Sequence, residues 1–278
     1  MLIEETLRFR RSTHTVRNRF KCRSGGSREE LLHRAIAAFA APTINAVIDK
    51  IFPSIADALA DVPDGATIMV GGFGGAGMPN ELIDGLIVQG ATDLTIVANN
   101  AGNAEFGLAA LLKAGRVRKV ICSFPRQPDS YVFDGWYRAG KIELELVPQG
   151  NLSERIRAAG AGIGGFFTKV GFGTDLAKGK ETREIDGEIY VLESPIHADF
   201  ALIKAEQGDR WGNLTYRMAA RNFGPVMAMA AKTTVASVHD IVALGALDPE
   251  AVVTPGIFVQ RVVKIERSVT VASGYKAA

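Results

Sequence analysis

Short apolar segments alternate with helix-sized segments between residues 66 and 160, and this alternation leaves few folds open. Four apolar segments predict β-strands: ATIMVGG, DLTIVANNAG, RKVICSFP and IELELVPQG. Each is followed by a segment that predicts a helix: PNELIDGLIVQG, EFGLAALLKAG, DSYVFDGWYRAG and NLSERIRAAGAG. Helices between consecutive apolar strands are typical of right-handed βαβ units. The sequence therefore predicts an α/β fold with an open, mostly parallel sheet and flanking helices.

The pattern changes after residue 163. GIGGFFTKVGFGTDLAKGK predicts a glycine-rich loop, of a length that is usually functional. ETREIDGEIYVLES predicts a β-hairpin that turns at Asp186-Gly187. FALIKA, GNLTYR, KTTVASV and GIFVQRVV predict further strands. We therefore expect a smaller mixed or antiparallel portion in addition to the parallel sheet.

Residues 1–45 differ in composition from the rest of the chain. LRFRRSTHTVRNRFKCRSGGSR is rich in arginine and has no apolar periodicity, and EELLHRAIAAFAAP predicts at most a short helix. An organelle transit peptide is poor in acids, and the four glutamates among the first 30 residues argue against one. We interpret residues 1–45 as a disordered or weakly helical extension, and residues 46–278 as one domain.

Length, charge and cysteine content exclude several classes of protein. A chain of 278 residues can bury a full core, and 32 basic against 30 acidic residues give no reason to expect nucleic acid or a membrane surface as partner. No apolar run approaches the roughly 18 residues of a membrane span. Cys22 and Cys122 are too far apart in sequence to indicate a disulfide framework or a cysteine metal site. We expect a cytoplasmic protein.

A glycine-rich turn follows the first predicted strand. VGGFGGAGMPNELIDGL contains G-x-G-x-x-G at Gly72, Gly74 and Gly77, between a strand and a helix. Such a turn lets the backbone approach a phosphate, although the same glycines also suit a tight crossover turn without a ligand. An NAD site needs an acidic residue at the end of the next strand, where this sequence has Asn99 and Asn100. The P-loop is excluded because no Gly-Lys-Ser/Thr follows.

The loops after the other strands carry amides, glycines and one arginine. NNAGNAEFG, SFPRQPDS and VPQGNLSER would lie with the glycine loop at the carboxyl ends of the strands, where open parallel sheets bind ligands. Asn and Gln at such positions can also be simple turn or cap residues. No nucleophile motif or metal spacing accompanies them, and Glu105 is the acid nearest this edge in the predicted fold. The histidines are isolated: His14, His33, His197 and His239. A ligand site without a nucleophile predicts that another chain supplies one.

Several long segments of residues 47–264 together form a specific pattern: VGGFGGAGMPNELIDGL, NNAGNAEFGL, VPQGNLSERIRAAGAGIGGFFT, GKETREIDGEIYVLE, ADFALIKA, GDRWGNLTYR, ARNFGPVMAMAA and LDPEAVVTPGIFVQRVV. In these segments the chain resembles the alpha subunits of class I 3-oxoacid CoA-transferases. The resemblance implies the NagB/RpiA-like fold of CoA-transferase family I. It also implies transfer of CoA from succinyl-CoA to a 3-oxo acid, with CoA as substrate and no permanently bound cofactor or metal.

The resemblance also implies site residues and a partner. In this family the catalytic glutamate lies in a beta subunit, and the two kinds of chain commonly assemble as α2β2; no Glu-Asn pair like the one near that glutamate occurs here. Asn99 and Gln149 match amide residues that line the reaction centre. The CoA-associated loop corresponds to Gly71, Gly72, Phe73, Gly74, Gly75, Ala76 and Gly77.

The substrate is indicated by one segment. SFPRQPDSYVF resembles the family members that use 3-oxoadipate in the beta-ketoadipate pathway of aromatic degradation. Because 3-oxoadipate has a second carboxylate, we assign Arg126 in this segment to its recognition; a solvated surface arginine is the alternative. Three other functions stay open: transfer to acetoacetate, a non-catalytic CoA-binding module, and an NAD oxidoreductase.

Overall fold

A computed structural model describes residues 48–267; the predicted extension, residues 1–45, lies outside this range. The strands are β1 (Ile51–Phe52), β2 (Thr67–Val70), β3 (Leu94–Asn100), β4 (Val117–Phe124), β5 (Glu143–Leu146), β6 (Phe166–Thr168), β7 (Thr182–Ile185), β8 (Glu188–Glu193), β9 (Ala198–Asp209), β10 (Leu214–Thr215), β11 (Ala231–Val242) and β12 (Arg261–Lys264). The α-helices are α1 (Ile55–Leu59), α2 (Asn80–Gln89), α3 (Leu108–Lys113), α4 (Tyr131–Arg138), α5 (Gln149–Gly160) and α6 (Gly224–Ala230).

The main sheet has the order β1-β12-β11-β9-β2-β3-β4-β5 and is parallel throughout this path. Among the described strands of this sheet, only β10 is antiparallel to its partner, β9. The chain runs from β2 outward to β5 and then returns to the other side of β2 through β9. The strand order therefore reverses between β2 and β9, and ligands bind at such a switch point in open parallel sheets.

Helices cover both faces of this sheet, which explains why its central strands have no polar face. All seven residues of β3 are buried. One core cluster includes Leu82 of α2 and Leu111 of α3, and the other includes Ile156 of α5 and Met227 of α6. Parallel strands that are buried on both faces read as continuous apolar runs, as they do in this sequence. The predicted α/β fold is confirmed.

The smaller antiparallel portion is also confirmed and contains β6, β7 and β8. The hairpin turns at Asp186 and Gly187, whose φ angles of 52° and 77° are those of the predicted tight turn. The predicted glycine-rich loop is interrupted by β6, which pairs with β8. Of the strands predicted after the hairpin, β9, β11 and β12 join the parallel sheet, whereas the first residues of GIFVQRVV, Gly256–Phe258, form a 3-10 helix.

Two helix ends position the candidate site. The segment PNELIDGLIVQG, predicted as a helix, forms α2 with Pro79 directly before it and Gly90, at a φ of 102°, directly after it. Helix α5 begins at Gln149, two residues earlier than the sequence predicts. Gln149 therefore lies at the helix start, at the carboxyl end of β5.

No helix among residues 48–267 has the length and apolar content needed to span a bilayer.

Candidate functional site

The glycine loop, residues 71–77, begins at the carboxyl end of β2, at the reversal of strand order. The N–H of Gly71 donates to the carbonyl of Leu202 in β9 (2.9 Å), which holds the loop at the switch point. Phe73 and Ala76 exchange two backbone hydrogen bonds of 3.0 and 3.1 Å and close a tight turn. The N–H groups of Gly74 and Gly75, at the tip of this turn, donate to no acceptor among residues 48–267. They are therefore available to a ligand.

The side chain of Asn222, which is not part of the glycine loop, forms two hydrogen bonds with the loop backbone. Its Oδ1 accepts from the N–H of Gly72 (3.1 Å), and its Nδ2 donates to the carbonyl of Ala76 (3.0 Å). The loop also packs closely on the segment before Asn222, since a Cβ added at Gly77 would lie 2.8 Å from the carbonyl oxygen of Ala220. Sequence reasoning did not assign Asn222 a role, although it lies in ARNFGPVMAMAA, one of the segments that carry the family resemblance.

Asn99 and Gln149 are brought together, as expected for two residues at neighbouring strand ends. The Nδ2 of Asn99 donates to the Oγ of Ser123 (2.9 Å) and to the Oε1 of Gln149 (3.4 Å). Ser123, at the end of β4, in turn donates to the Asn99 carbonyl (3.0 Å). Asn99 is only 5% exposed, whereas Gln149 is exposed. The amide nitrogen of Asn99 is thus used inside the protein, and that of Gln149 has no acceptor among the described residues.

A buried charge cluster anchors the helix that begins with Gln149. Glu193 of β8 is 3% exposed, and its Oε1 accepts from Lys180 Nζ (2.7 Å) and from Asn151 Nδ2 (3.1 Å). Its Oε2 lies 3.7 Å from Arg155 Nε. Asn151 and Arg155 belong to α5, so the antiparallel sheet and the start of this helix are held together. Breaking a buried pair of this kind typically costs about 3–5 kcal/mol.

The ionisable groups nearest the edge are already engaged. Lys113 lies 2.7 Å from Glu105, and its hydrogen bond holds the pKa of the Glu105 carboxyl below its usual range. Burial raises the pKa of the Cys122 thiol to about 12, so the thiolate is not accessible at neutral pH. Arg126 is half-exposed, and its Nε lies 2.6 Å from the Oδ1 of Asp134. These contacts engage the Glu105 carboxylate and the Nε of Arg126, so the available groups at the edge are neutral donors and the Nη atoms of Arg126.

Two cavities flank the glycine loop. One, of about 300 Å³, includes Gly77, Lys204, Arg217 and His239 in its walls. The Nδ1 of His239 is buried there without a partner among the described residues. The other cavity, of about 170 Å³, lies against Gly74 and Gly75. Within residues 48–267 no group of three or more histidine, cysteine or acidic side chains is arranged to hold a metal ion.

Comparison with protein families identifies the chain. A family model described as coenzyme A transferase matches residues 52–265, which include the glycine loop, Asn99, Gln149 and Asn222. The chain belongs to the coenzyme A transferase family. The resemblance drawn from the sequence is therefore confirmed, and the NAD alternative for the glycine loop is set aside.

Relatives of this transferase chain are named as A-type subunits of CoA-transferases. It is 73% identical over 219 residues to the A-type subunit of 3-oxoadipate CoA-transferase from Pseudomonas putida, covering 79% of this chain and 95% of that protein. It is 66% identical to the protein of the same name from Acinetobacter baylyi, over 79% of this chain and 96% of that one. It is 50% identical to the A-type subunit of a succinyl-CoA:3-ketoacid coenzyme A transferase from Xanthomonas campestris, over 73% and 83%.

Solved structures share the fold. An acyl-CoA transferase from Escherichia coli O157:H7 matches with a TM-score of 0.70 and 25% identity, covering 78% of this chain and 47% of that one. Glutaconate coenzyme A-transferase from Acidaminococcus fermentans matches with a TM-score of 0.69 and 24% identity, over 78% and 76%. The second likeness shows the fold alone, and both support the parallel sheet described above.

Proposed function

We propose that this chain is the alpha subunit of a heteromeric CoA-transferase that moves CoA from succinyl-CoA to 3-oxoadipate in the cytoplasm. The observation that carries this proposal is the 73% identity to the A-type subunit of a 3-oxoadipate CoA-transferase, which extends over 95% of that relative. The reaction would serve the beta-ketoadipate pathway of aromatic degradation. CoA takes part as a substrate.

A beta subunit completes the site in this proposal, in an α2β2 assembly. The relatives are named as A-type subunits, which supports a separate partner. The chemistry of the edge supports it too, because Glu105 is paired with Lys113 and Cys122 is a buried neutral thiol. What this chain offers is hydrogen-bond donors, so the attacking carboxylate is assigned to a glutamate of the beta subunit.

The proposed reaction uses this chain to stabilise negative charge. The glutamate carboxylate attacks the thioester carbonyl, a C–O bond forms, the C–S bond breaks, and CoA leaves as the thiolate with a mixed anhydride behind it. The thiolate then attacks the glutamyl carbonyl and releases succinate, and the 3-oxo acid reverses both steps. Each attack creates an oxyanion. Gln149 Nε2 and the N–H groups of Gly74 and Gly75 are the donors we assign to it, with Asn99 orienting Gln149.

We assign Arg126 to the second carboxylate of 3-oxoadipate. The Nη atoms would make this contact, because the Nε already donates to Asp134. We expect Arg126→Ala to raise KM for 3-oxoadipate about tenfold and to leave turnover of acetoacetate unchanged, since a charge-assisted hydrogen bond contributes about 1.5–3 kcal/mol. Steady-state kinetics of the two-subunit complex with each acceptor measure this. An equal loss on both acceptors would contradict the assignment.

Acetoacetate is the second candidate acceptor. It is supported by the 50% identity to the A-type subunit of a succinyl-CoA:3-ketoacid coenzyme A transferase. The same hydrogen-bond donors would act at the thioester carbonyl with either acceptor. The two acceptors differ in the part of the molecule that carries the second carboxylate in 3-oxoadipate. A comparison of kcat/KM for the two acids therefore separates them.

The experiment that tests the proposed function is co-expression of this chain with a candidate beta subunit. Succinyl-CoA consumption is followed with 3-oxoadipate, and each chain alone is the control. Activity from the pair alone is the expected result. If the pair turns over acetoacetate but not 3-oxoadipate, acetoacetate becomes the assigned acceptor. CoA binding by the lone chain, without turnover in any pairing, would favour a non-catalytic CoA-binding module.

A further inference from the structure

Helix α5 begins at Gln149 without a side-chain cap. Pro148 directly precedes it, and a proline side chain cannot accept a hydrogen bond from the free N–H groups of the first turn. Among residues 48–267, the side chain of Gln149 makes one hydrogen bond, the 3.4 Å contact with Asn99 Nδ2. A hydrogen bond of this length is weak. The position of the Gln149 amide therefore depends on how the first turn of α5 is held.

The first turn of α5 is held by the side chain of Asn151, which is 3% exposed. Its Nδ2 donates to Glu193 Oε1 (3.1 Å) and to the carbonyl of Val170 (3.3 Å). One turn later, Arg155 Nε donates to the carbonyl of Ser194 (2.7 Å) and lies 3.7 Å from Glu193 Oε2. Two successive turns of α5 are thus fixed against Glu193 and the residue that follows it.

Glu193 is the most buried member of a chain of alternating charges. The members are Lys119, Glu145, Arg155, Glu193 and Lys180, and successive members lie 2.6, 3.0, 3.7 and 2.7 Å apart. The Glu193 side chain is 3% exposed, against 13–34% for the other four. A carboxylate at this depth needs such partners, because an unpaired buried charge is strongly unfavourable. The ion pairs therefore fix Glu193, and Glu193 fixes α5.

The glycine-rich segment after α5, GIGGFFTKVGFGTDLAKGK, supplies two of the contacts in this cluster. Its last residue, Lys180, donates to Glu193 Oε1 (2.7 Å), and Val170 supplies the carbonyl that accepts from Asn151. The length of the segment is typical of functional loops. We assign it no contact with a ligand. Its contribution is to complete the set of partners around Glu193 and Asn151.

The cluster requires a carboxylate at position 193. The three described side-chain groups that face it are donors: Lys180 Nζ, Asn151 Nδ2 and Arg155 Nε. An ionised carboxylate only accepts, whereas an amide at the same place would turn its NH₂ towards one of these donors in either orientation. Glutamine has nearly the same shape as glutamate. Glu193→Gln therefore weakens the hold on α5 without opening a cavity.

We propose that Glu193 is a positioning residue for the transfer reaction, acting through Asn151 and the first turn of α5 on the Nε2 of Gln149. The inference rests on the proposed function, in which this Nε2 stabilises the oxyanion. Gln149 and Asn151 share one helical turn and lie about 3 Å apart along the helix axis, so a shift of one moves the other. A displacement of about 1 Å can lower the rate of a positioned reaction about a hundredfold.

The test is a double-mutant cycle in the two-subunit complex. Glu193→Gln, Gln149→Ala and the double variant are assayed for kcat and for KM of succinyl-CoA, with the 3-oxo acid that the wild type turns over. Asp61→Asn is the matched control, because it removes the same charge from an ion pair with Arg261, the first residue of β12, at the opposite edge of the sheet. Thermal unfolding identifies a temperature at which all variants are folded, and the assays are performed there.

We expect Glu193→Gln to lower kcat about tenfold or more, and Asp61→Asn to leave it unchanged. The KM of succinyl-CoA should stay within about twofold, because the oxyanion exists only in the transition state and the intermediates. In the Gln149→Ala background, Glu193→Gln should change kcat by less than about twofold, since its effect passes through the missing amide. A merely structural role for Glu193 would reduce kcat equally in both backgrounds.

Equal losses in both backgrounds, or a wild-type kcat in Glu193→Gln, would overturn this inference alone. A wild-type kcat in Gln149→Ala would overturn the donor assignment in the proposed function, and this inference with it. If Glu193→Gln does not fold, Asn151→Ala takes its place in the cycle with the same expectations. Asn151→Ala removes the hydrogen bonds from α5 to Glu193 and Val170 and leaves the ion pair between Glu193 and Lys180 intact.

Discussion

At the scale of single residues, Gln149 combines an acceptor that the protein uses with a donor that it leaves available. Its Oε1 accepts from Asn99, and its Nε2 is the proposed oxyanion donor. Gln149→Glu keeps the acceptor and replaces the NH₂ with an anionic oxygen. We expect kcat of the two-subunit complex to fall by at least about a hundredfold, the typical cost of one oxyanion donor. Steady-state assays with succinyl-CoA measure this change.

Asn99 provides the comparison for this prediction. If Asn99 orients Gln149 without contacting the oxyanion, Asn99→Ala should reduce kcat less than Gln149→Glu does. Thermal unfolding of both variants checks that the loss is not one of folding. A Gln149→Glu complex with wild-type kcat would remove Gln149 from the proposed mechanism.

At the scale of elements, the glycine loop depends on its close approach to the segment around Ala220. Gly74 and Gly77 both have a positive φ, 57° and 70°, so alanine is strained at either position by about 1–2 kcal/mol. Only at Gly77 would the added Cβ also meet backbone, 2.8 Å from the Ala220 carbonyl oxygen. We expect Gly77→Ala to lower the free energy of unfolding more than Gly74→Ala. Urea denaturation of both variants tests this, and equal losses would contradict the close approach.

At the scale of the whole molecule, burial of the sheet on both faces determines how stability responds to alkaline pH. Burial raises the pKa of Cys122, in β4, from 9.0 to about 12. The unfolded thiol ionises from about pH 9 while the folded one stays neutral. The contribution of the neutral Cys122 thiol to the free energy of unfolding is therefore complete below pH 9. This contribution is lost as the pH rises towards 12, by up to about 1.4 kcal/mol per pH unit. Tyr216, whose pKa burial also raises to about 12, acts in the same direction.

Urea unfolding at pH 8, 9 and 10 measures this dependence, with Cys22→Ser as the common background. Cys122→Ala should be less stable at pH 8, because it removes buried volume, and should lose less stability between pH 9 and 10 than its parent. Tyr216→Phe isolates the tyrosine contribution in the same way. If the free energy of unfolding changes with pH equally in Cys122→Ala and its parent, the thiol ionises at the same pH in the folded and the unfolded state.

Much of this architecture was predictable because its signals are local. The apolar runs of β2 to β5, the glycine that ends α2 and the Asp186-Gly187 turn each reflect the conformational preferences of a few adjacent residues. The rule that parallel strands end at one edge was enough to group the glycine loop with Asn99 and Gln149. The sequence by itself therefore determined the fold class and the edge that carries the candidate site.

The tertiary structure decided how that edge is assembled. The return of the chain beside β2 puts β9 at the glycine loop, Asn222 bonds to Gly72 across 150 positions, and Ser123 orients Asn99. None of these contacts has a local signal, because each depends on strand order and on side-chain geometry between distant segments. Periodicity within a segment predicts that segment's own structure, and only packing determines which segments meet.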